Sequence, residues 1–493
     1  MKRLRQIWHP KFPLRSFGKL HALIIDECNQ LVNIFPSYMV GGFLSLCDLK
    51  VTNCKSMEEI FDFKDVGKRR AREITSLQNV HVEALPKLKR VWNKDPEGIL
   101  RFTYLKKLWV QDCVNLKHIF PISIAKDLKN LEYLEVWNCG QMKEIVFRGE
   151  TINVSSVLFE LPKLSTARFS KLPNLESFFG GAHELHCSTL DNLYVEHCHK
   201  LKLFIANPEI RPVFLPEEVI WNLKTIQIEA SDENSLKRYR MHKLEECQLS
   251  RLLDIEILYF LLHRNPNLKS LLLSNCLIKQ LVPPRCFINE KLGVVPMLKS
   301  LMLMNLPSLK MIGFEEDAIL FQRLECLILK ECPCLNIIAP SSVSFTCLTN
   351  LEVSNCNKLI YLMTPSTAKS LVQLTTMKVI QCDSMVTIVS EPENEEQMQW
   401  IIFRQLKEIE LDSLPELESF CSSNCCVFEF PLLEKFVVSA CSNMKSFTFS
   451  NQVNETPNLR QVCVTHGEEE KISYWKGDLN ATIQHMHTLW VRI

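Results

Sequence analysis

Glycine is scarce in this chain, 13 residues of 493, against a usual share of about 7%. That argues against glycine-rich loops and glycine-turned hairpins as an organising theme. No Gly-x-x-x-x-Gly-Lys-Ser/Thr string occurs, so the chain is not expected to bind nucleotide itself. Net charge is also missing. Lys plus Arg is 57 and Asp plus Glu is 56, a formal +1, which gives no chain-wide field to draw in nucleic acid or an anionic membrane. No uninterrupted apolar run approaches the ~20 residues of a bilayer span, and the basic opening Met1 to Pro10 is not followed by an apolar stretch of signal-peptide length. The 21 cysteines are odd in number and about half as dense as in a disulfide scaffold. Reduced thiols in a cytoplasmic or nuclear setting follow as the expectation, and the sequons at Asn153, Asn454 and Asn480 read as chance matches.

What is present is repetition. One unit recurs, leucine-x-x-leucine-x-aliphatic-x-x-cysteine-x-x-leucine-x-x-isoleucine, clearest in Leu105, Leu108, Val110, Cys113, Leu116 and Ile119 and again in Leu131, Leu134, Val136, Cys139, Met142 and Ile145. Further copies begin at Leu20, Leu46, Leu77, Leu164, Leu190, Leu268, Leu298, Leu324, Leu348, Leu374, Leu406, Leu433 and, partly, Leu459. Successive starts mostly lie 24 to 33 residues apart, a spacing that overlaps the leucine-rich-repeat range. Apolar alternation over five residues puts those side chains on one face of a short strand. One such strand cannot bury its face alone, but stacked parallel copies close a continuous core. The expected fold is an α/β repeat solenoid: a curved leucine-rich-repeat array with a parallel β-sheet on the concave face and short helices and turns on the convex face.

A second pattern overlies the first. At the ninth position ten copies carry cysteine, whereas four carry Leu-Pro, at Leu85, Leu172, Leu306 and Leu414. The Leu-Pro copies start 31, 33, 30 and 32 residues after their predecessors, while the gaps before cysteine copies, outside the irregular zone, run from 24 to 28. A thiol can weakly bond a neighbouring turn's carbonyl; Leu-Pro gives up that donor and fixes the turn by ring geometry. The coupling to length has no derivation at this level. Pro121 to Leu128 and Pro365 to Leu371 read as short helices with proline in the first turn. Regularity fails from about Pro208 to Asn265, where Leu223, Ile226 and Ile228 make one weak copy and Leu252 to Leu262 reads as a longer amphipathic helix. The organisation expected is therefore a first array over 1–207, an irregular joint over 208–265, a second array over 266–465 and a tail or cap over 466–493.

Sites for chemistry are few. Cys332-Pro333-Cys334 and Cys425-Cys426 are the densest thiol groups, with His197, Cys198 and His199 elsewhere; structural zinc wants two close pairs, so no metal set is expected. No nucleophile elbow or paired-acid motif appears, and neither catalysis nor a cofactor is expected. The basic run Lys68-Arg69-Arg70-Ala71-Arg72 beside Lys64, and the acidic runs Glu391 to Glu396 and Glu468 to Glu470, read as solvated or disordered loops. The concave face is more informative. Its candidate protein-binding residues are Lys107, Trp109 and Gln111, then Tyr133, Glu135 and Trp137, and two copies later Asn192, Tyr194 and Glu196. Large aromatics flanked by charges on a rigid surface are what binding hot spots look like; shielding by neighbouring side chains is the competing account.

Leu4-Arg5-Gln6-Ile7-Trp8 matches Leu88-Lys89-Arg90-Val91-Trp92, the tail of an internal copy. On that match the chain is expected to open in mid-repeat and to be part of something longer. The cysteine-bearing repeat alternating with Leu-Pro copies, together with Trp475 and Gly477-Asp478-Leu479-Asn480-Ala481-Thr482-Ile483, resembles the C-terminal region of plant coiled-coil, nucleotide-binding, leucine-rich-repeat disease-resistance proteins. That resemblance implies a non-enzymatic recognition platform. Its partners would be a pathogen effector or a guarded host protein, and an upstream nucleotide-binding switch domain that this chain does not contain. A substrate-recruiting subunit of a ubiquitin ligase is the alternative, and a secreted or membrane receptor ectodomain a third reading.

Overall fold

The structure, a computed structural model, describes residues 4–63, 73–147, 157–201, 220, 222–229, 241–281, 298–312, 321–392, 398–449, 456–466 and 470–490, apart from positions 12, 40, 181, 182 and 254. The basic run at 64–72, most of the acidic run at 391–396, most of that at 468–470, and the sequons at Asn153 and Asn454 lie outside the described residues. The chain divides into two compact units, Met1–Leu244 and Glu245–Ile493.

Each unit is a leucine-rich-repeat solenoid. In the first, the five-residue strands Ala22–Asp26, Asp48–Thr52, Asn79–Glu83, Lys107–Gln111, Tyr133–Trp137, Thr166–Ser170, Asn192–Glu196 and Thr225–Glu229 pair in parallel, each with the next copy's. In the second, Glu246–Ser250, Ser270–Ser274, Ser300–Met304, Cys326–Lys330, Asn350–Ser354, Thr376–Ile380, Glu408–Asp412, Lys435–Ser439 and Val462–His466 do the same. Register matches motif position to motif position, so Leu108 faces Leu134, which faces Ala167, which faces Leu193. These four are buried, and burying their rows against the returning segments supplies the hydrophobic term that one strand could not.

Position eight of the repeat makes the turn after each strand. Among the described residues, Glu27, Asn53, Ala84, Asp112, Asn138, Lys171 and His197 in the first unit, and Arg251, Asn275, Asn305, Glu331, Asn355, Gln381, Ser413 and Ala440 in the second, all have φ between 48° and 57°. This left-handed conformation costs a non-glycine residue about 1–2 kcal/mol, yet glycine fills none of these positions. The turn is held because its amide continues the ladder: Asn53 N–H donates to Glu83 O at 3.1 Å, and Asn138 N–H to Ser170 O at 2.9 Å.

The returning segments hold the two short helices anticipated, Ile122–Asp127 and Pro365–Ser370, and also strand pairs. One set, Phe120–Pro121, Glu144–Phe147 and Ser177–Phe179, belongs to the first unit, and Tyr361–Met363, Thr387–Val389 and Ser419–Cys421 to the second. A further set precedes three of the Leu-Pro copies: the strands Glu73–Ile74, Val157–Glu160 and Gln399–Ile402, before Leu77, Leu164 and Leu406, each pair with a strand before the next copy.

The irregular zone needs correction. Ile226 and Ile228 lie in a ladder strand with Leu223 buried just before it, and a further copy over Leu244, Cys247, Leu249 and Leu252 follows, with its strand Glu246–Ser250 fully in register with Ser270–Ser274. Cysteine at the second leucine position hid this copy. The helix there spans Ile255–Arg264, three residues later than its apolar pattern suggested. At the other end of the second unit, Glu470–Tyr474 runs antiparallel along Val462–His466. The helix Leu479–Trp490 then buries Leu479, Thr482, Ile483 and Met486; its start is capped by Asp478, whose Oδ1 accepts the Ala481 amide at 2.8 Å. Asn480 Oδ1 accepts the Thr448 amide at 2.8 Å, so that sequon's side chain already serves the fold.

Candidate functional site

The outer positions of the ladder strands form rows as regular as the core. Parallel strands are ~4.8 Å apart, so residues in one row touch sideways. One row reads His81, Trp109, Glu135, Arg168 and Tyr194; the next reads Glu83, Gln111, Trp137, Ser170 and Glu196. Six of the nine residues expected on this face lie in these two rows, and the other three, Lys107, Tyr133 and Asn192, lie in a third row beside them with Asn79 and Thr166. They do not form one block. The strands of Lys107 and Tyr133 are neighbours, whereas Asn192, Tyr194 and Glu196 lie beyond Thr166–Ser170. Arg168 spans the gap, in register with Glu135 and with its guanidinium 3.6 Å from the centre of the Tyr194 ring. Sequence reasoning passed over Arg168 because Ala167 and Phe169 weaken the leucine signal of that copy; its row position would have found it.

The aromatics are half-buried, and their neighbour Lys107 is exposed. Trp109 packs on Tyr133 at 5.5 Å between centroids and on His81 at 6.1 Å, and the Lys171 ammonium sits 4.7 Å over Trp137. Tyr133 Oη donates to Glu135, whose other oxygen accepts from Gln111 at 3.3 Å. Burial, with that hydrogen bond second, pushes the Tyr133 phenol up to about 12. Glu196 accepts from Ser170 at 3.4 Å and from Gln227, and Asn192 donates to Thr166 at 3.4 Å. The result is a flat, pre-ordered mosaic of rings, cations and carboxylates whose rotamers are already paid for in the free chain. In the second unit the equivalent rows carry an apolar stretch, Leu272, Met302 and Ile328 with the exposed Met304, followed in the same row as Ile328 by Glu352, Lys378 and Glu410. Lys330–Glu352 at 2.7 Å and Lys378–Glu410 at 2.8 Å are exposed enough to contribute little stability. This apolar patch had no counterpart in the sequence reading.

The cysteine row is structural. Each position-nine thiol donates to the carbonyl two residues back in its own turn, as Cys54 to Thr52 at 3.2 Å and Cys441 to Ser439 at 3.2 Å. Four of them also reach a carbonyl of the preceding copy, as anticipated, Cys198 to Phe169 O at 3.5 Å, Cys276 to Leu249 O at 3.9 Å, Cys332 to Leu303 O at 3.9 Å and Cys441 to Leu411 O at 3.7 Å, and the sulfur meets that copy's position-nine amide as well. Leu252 N–H donates to Cys276 Sγ at 3.4 Å, and Leu85, Leu172, Leu306 and Leu414 amides face Cys113, Cys198, Cys332 and Cys441. Leu-Pro copies are thus served by the cysteine of the copy that follows. Burial pushes the Cys187, Cys198, Cys247 and Cys441 thiols up to about 12, far from the thiolate that nucleophilic or metal chemistry needs. His197 and His199 both reach Glu229, in the next copy, a meeting that their sequence positions did not indicate.

The ladder, its period and its position-nine row define a leucine-rich-repeat protein. The family model for plant disease resistance protein RPS2-like leucine-rich repeats matches residues 1–140 and 339–467, more than half of the chain, and the chain belongs to that family. Three Arabidopsis thaliana relatives are each named as a disease resistance protein. At4g27220 is 32% identical over 202 residues, covering 37% of this chain and 19% of the relative. At4g19050 is 29% identical over 163 residues, covering 32% and 12%, and At1g61190 is 27% identical over 140 residues, covering 28% and 14%. The chain thus matches less than a fifth of each relative's own length. Among solved structures, the TLR13–ssRNA13 complex aligns at 14% identity with a TM-score of 0.29, covering 87% of this chain and 80% of that one. The Arabidopsis receptor kinase HAESA, solved with the peptide hormone IDA and the co-receptor SERK1, aligns at 12% identity with a TM-score of 0.24, covering 92% and 86%. Among the described residues no helix is long and apolar enough to cross a membrane.

Proposed function

We propose that this chain is the recognition platform of a plant intracellular immune receptor, acting in the cytoplasm or nucleus without catalysis of its own. Its ligand is a pathogen effector or a host protein that an effector alters, taken up on the concave face, by the strand side chains of the first unit that point away from the core. The observation that carries this reading is the row Trp109, Glu135, Arg168 and Tyr194 beside Trp137. Rings and a cation stand ordered there at half burial, so a partner gains contact area at little entropic cost. In a full-length relative the same array would restrain an upstream nucleotide-binding domain, and bound ligand would shift that domain's equilibrium by its differential affinity for the two states. Substituting Trp109, Trp137 and Tyr194 together by alanine is the test. Capture of the effector or host partner should be lost while circular dichroism and melting stay unchanged; undiminished capture by this variant refutes the assigned face.

A further inference from the structure

We propose that His197, His199 and Glu229 form a binding site for a divalent transition-metal ion of the zinc class, clipping two adjacent copies of the first unit together. The inference is independent of the immune reading. His197 occupies the left-handed turn position after the strand Asn192–Glu196, with φ of 52°. That turn sends Cys198 inward to its row and leaves the flanking imidazoles outside, with ring centres 6.3 Å apart. Both then point at one carboxylate: His197 Nδ1 lies 2.9 Å from Glu229 Oε1, and His199 Nδ1 lies 3.1 Å from Glu229 Oε2.

The three donor atoms all fall within 4.8 Å of one another. Zn–N and Zn–O distances of about 2.0–2.1 Å place tetrahedral ligands roughly 3.3 Å apart, so small rotations of the rings would admit an ion where the N–H···O bonds now lie. The carboxylate is pre-set. Its side chain is only 8% exposed, and the His197 backbone amide donates to Oε1 at 2.9 Å, the kind of supporting hydrogen bond that orients a metal ligand. The imidazoles are about half exposed, which gives the ion a path in and leaves its fourth position to water. Two nitrogens and one oxygen suit zinc, cobalt, nickel or copper rather than calcium or magnesium. Cys198 is not a ligand, because its sulfur is engaged with Glu196 O at 3.3 Å and Phe169 O at 3.5 Å.

The test uses the full chain, reduced and metal-free, titrated with cobalt(II) and then zinc(II), beside His197→Ala, His199→Ala and Glu229→Gln. One equivalent of cobalt should bind with a d–d spectrum lacking thiolate charge-transfer absorption, and zinc should displace it and raise the melting temperature. Each variant should weaken that binding at least tenfold. The exposed His199→Ala is the safeguard, since it leaves the buried carboxylate and the fold intact. Binding as strong as wild type in His197→Ala or His199→Ala, a thiolate-dominated spectrum, or no binding by the folded wild type at millimolar zinc would each overturn the assignment.

Discussion

Leu134 offers the sharpest check on the stacked core. It sits in the strand Tyr133–Trp137, 1% exposed, between Leu108 on one side and the small Ala167 on the other. Truncation to alanine removes three carbons at about 0.8 kcal/mol each, and a residual cavity of roughly 40 Å³ adds about 1 kcal/mol. The expected loss is about 3–4 kcal/mol. For a cooperative unit of this size that corresponds to roughly 7–14 °C in melting temperature, measurable by calorimetry or by urea unfolding followed by circular dichroism. Ala167→Leu should alone cost about 1–3 kcal/mol by overpacking. Because the two side chains are direct register partners, the double variant should be at least ~1 kcal/mol more stable than the sum of the single losses implies. A Leu134→Ala melting curve within about 2 °C of wild type, or strictly additive losses in the double variant, refutes the shared interior.

Three other outcomes are expected. At the left-handed turns, Ala84→Gly and Ala440→Gly should be neutral or stabilising by up to about 1 kcal/mol, since relief of the Cβ clash offsets glycine's added chain entropy. Asn138→Val should cost about 1–2 kcal/mol in the same unfolding assay; the opposite order contradicts the turn assignment. His118 is packed 4.0 Å from the Phe147 ring with Nε2 unpartnered, and burial, with Arg90 and Lys117 second, lowers its pKa to about 4. The folded state disfavours the proton that the unfolded state accepts, so stability is full above pH ~6.5 and falls as pH drops towards 4, by on the order of 2 kcal/mol. His118→Phe should flatten that window in urea titrations, and an unchanged slope would remove His118 as its cause. Finally, native alkylation mapped by mass spectrometry should reach the half-buried Cys334 and Cys347 well before Cys198 and Cys441; equal rates would contradict the burial of that row.

Much of this was readable in advance, for a physical reason. The unit's period, its leucine positions and the two proline-started helices are local patterns, and Leu105 to Ile119 states them outright. The copy at Leu244 escaped because Cys247 stands where a leucine was sought, although cysteine packs as a small hydrophobe. The lengthened Leu-Pro copies were visible as arithmetic, but the strands Val157–Glu160 and Gln399–Ile402 exist only as pairs with the next copy. The same limit applies to the outer face. Trp109, Trp137 and Tyr194 could be placed on it from strand alternation, whereas Arg168 gained its role from the ring 26 residues later that it covers.

The amino-acid order alone determined the repeat, the side of each strand that goes inward and the inert character of the position-nine row, because all three depend on spacing within one copy. The tertiary structure decided which copies are neighbours, which carbonyl or amide each thiol meets, and that Glu229 closes on His197 and His199. Those contacts join residues about 30 positions apart, and no short-range periodicity encodes them; they arise only when one turn of the solenoid is laid on the next.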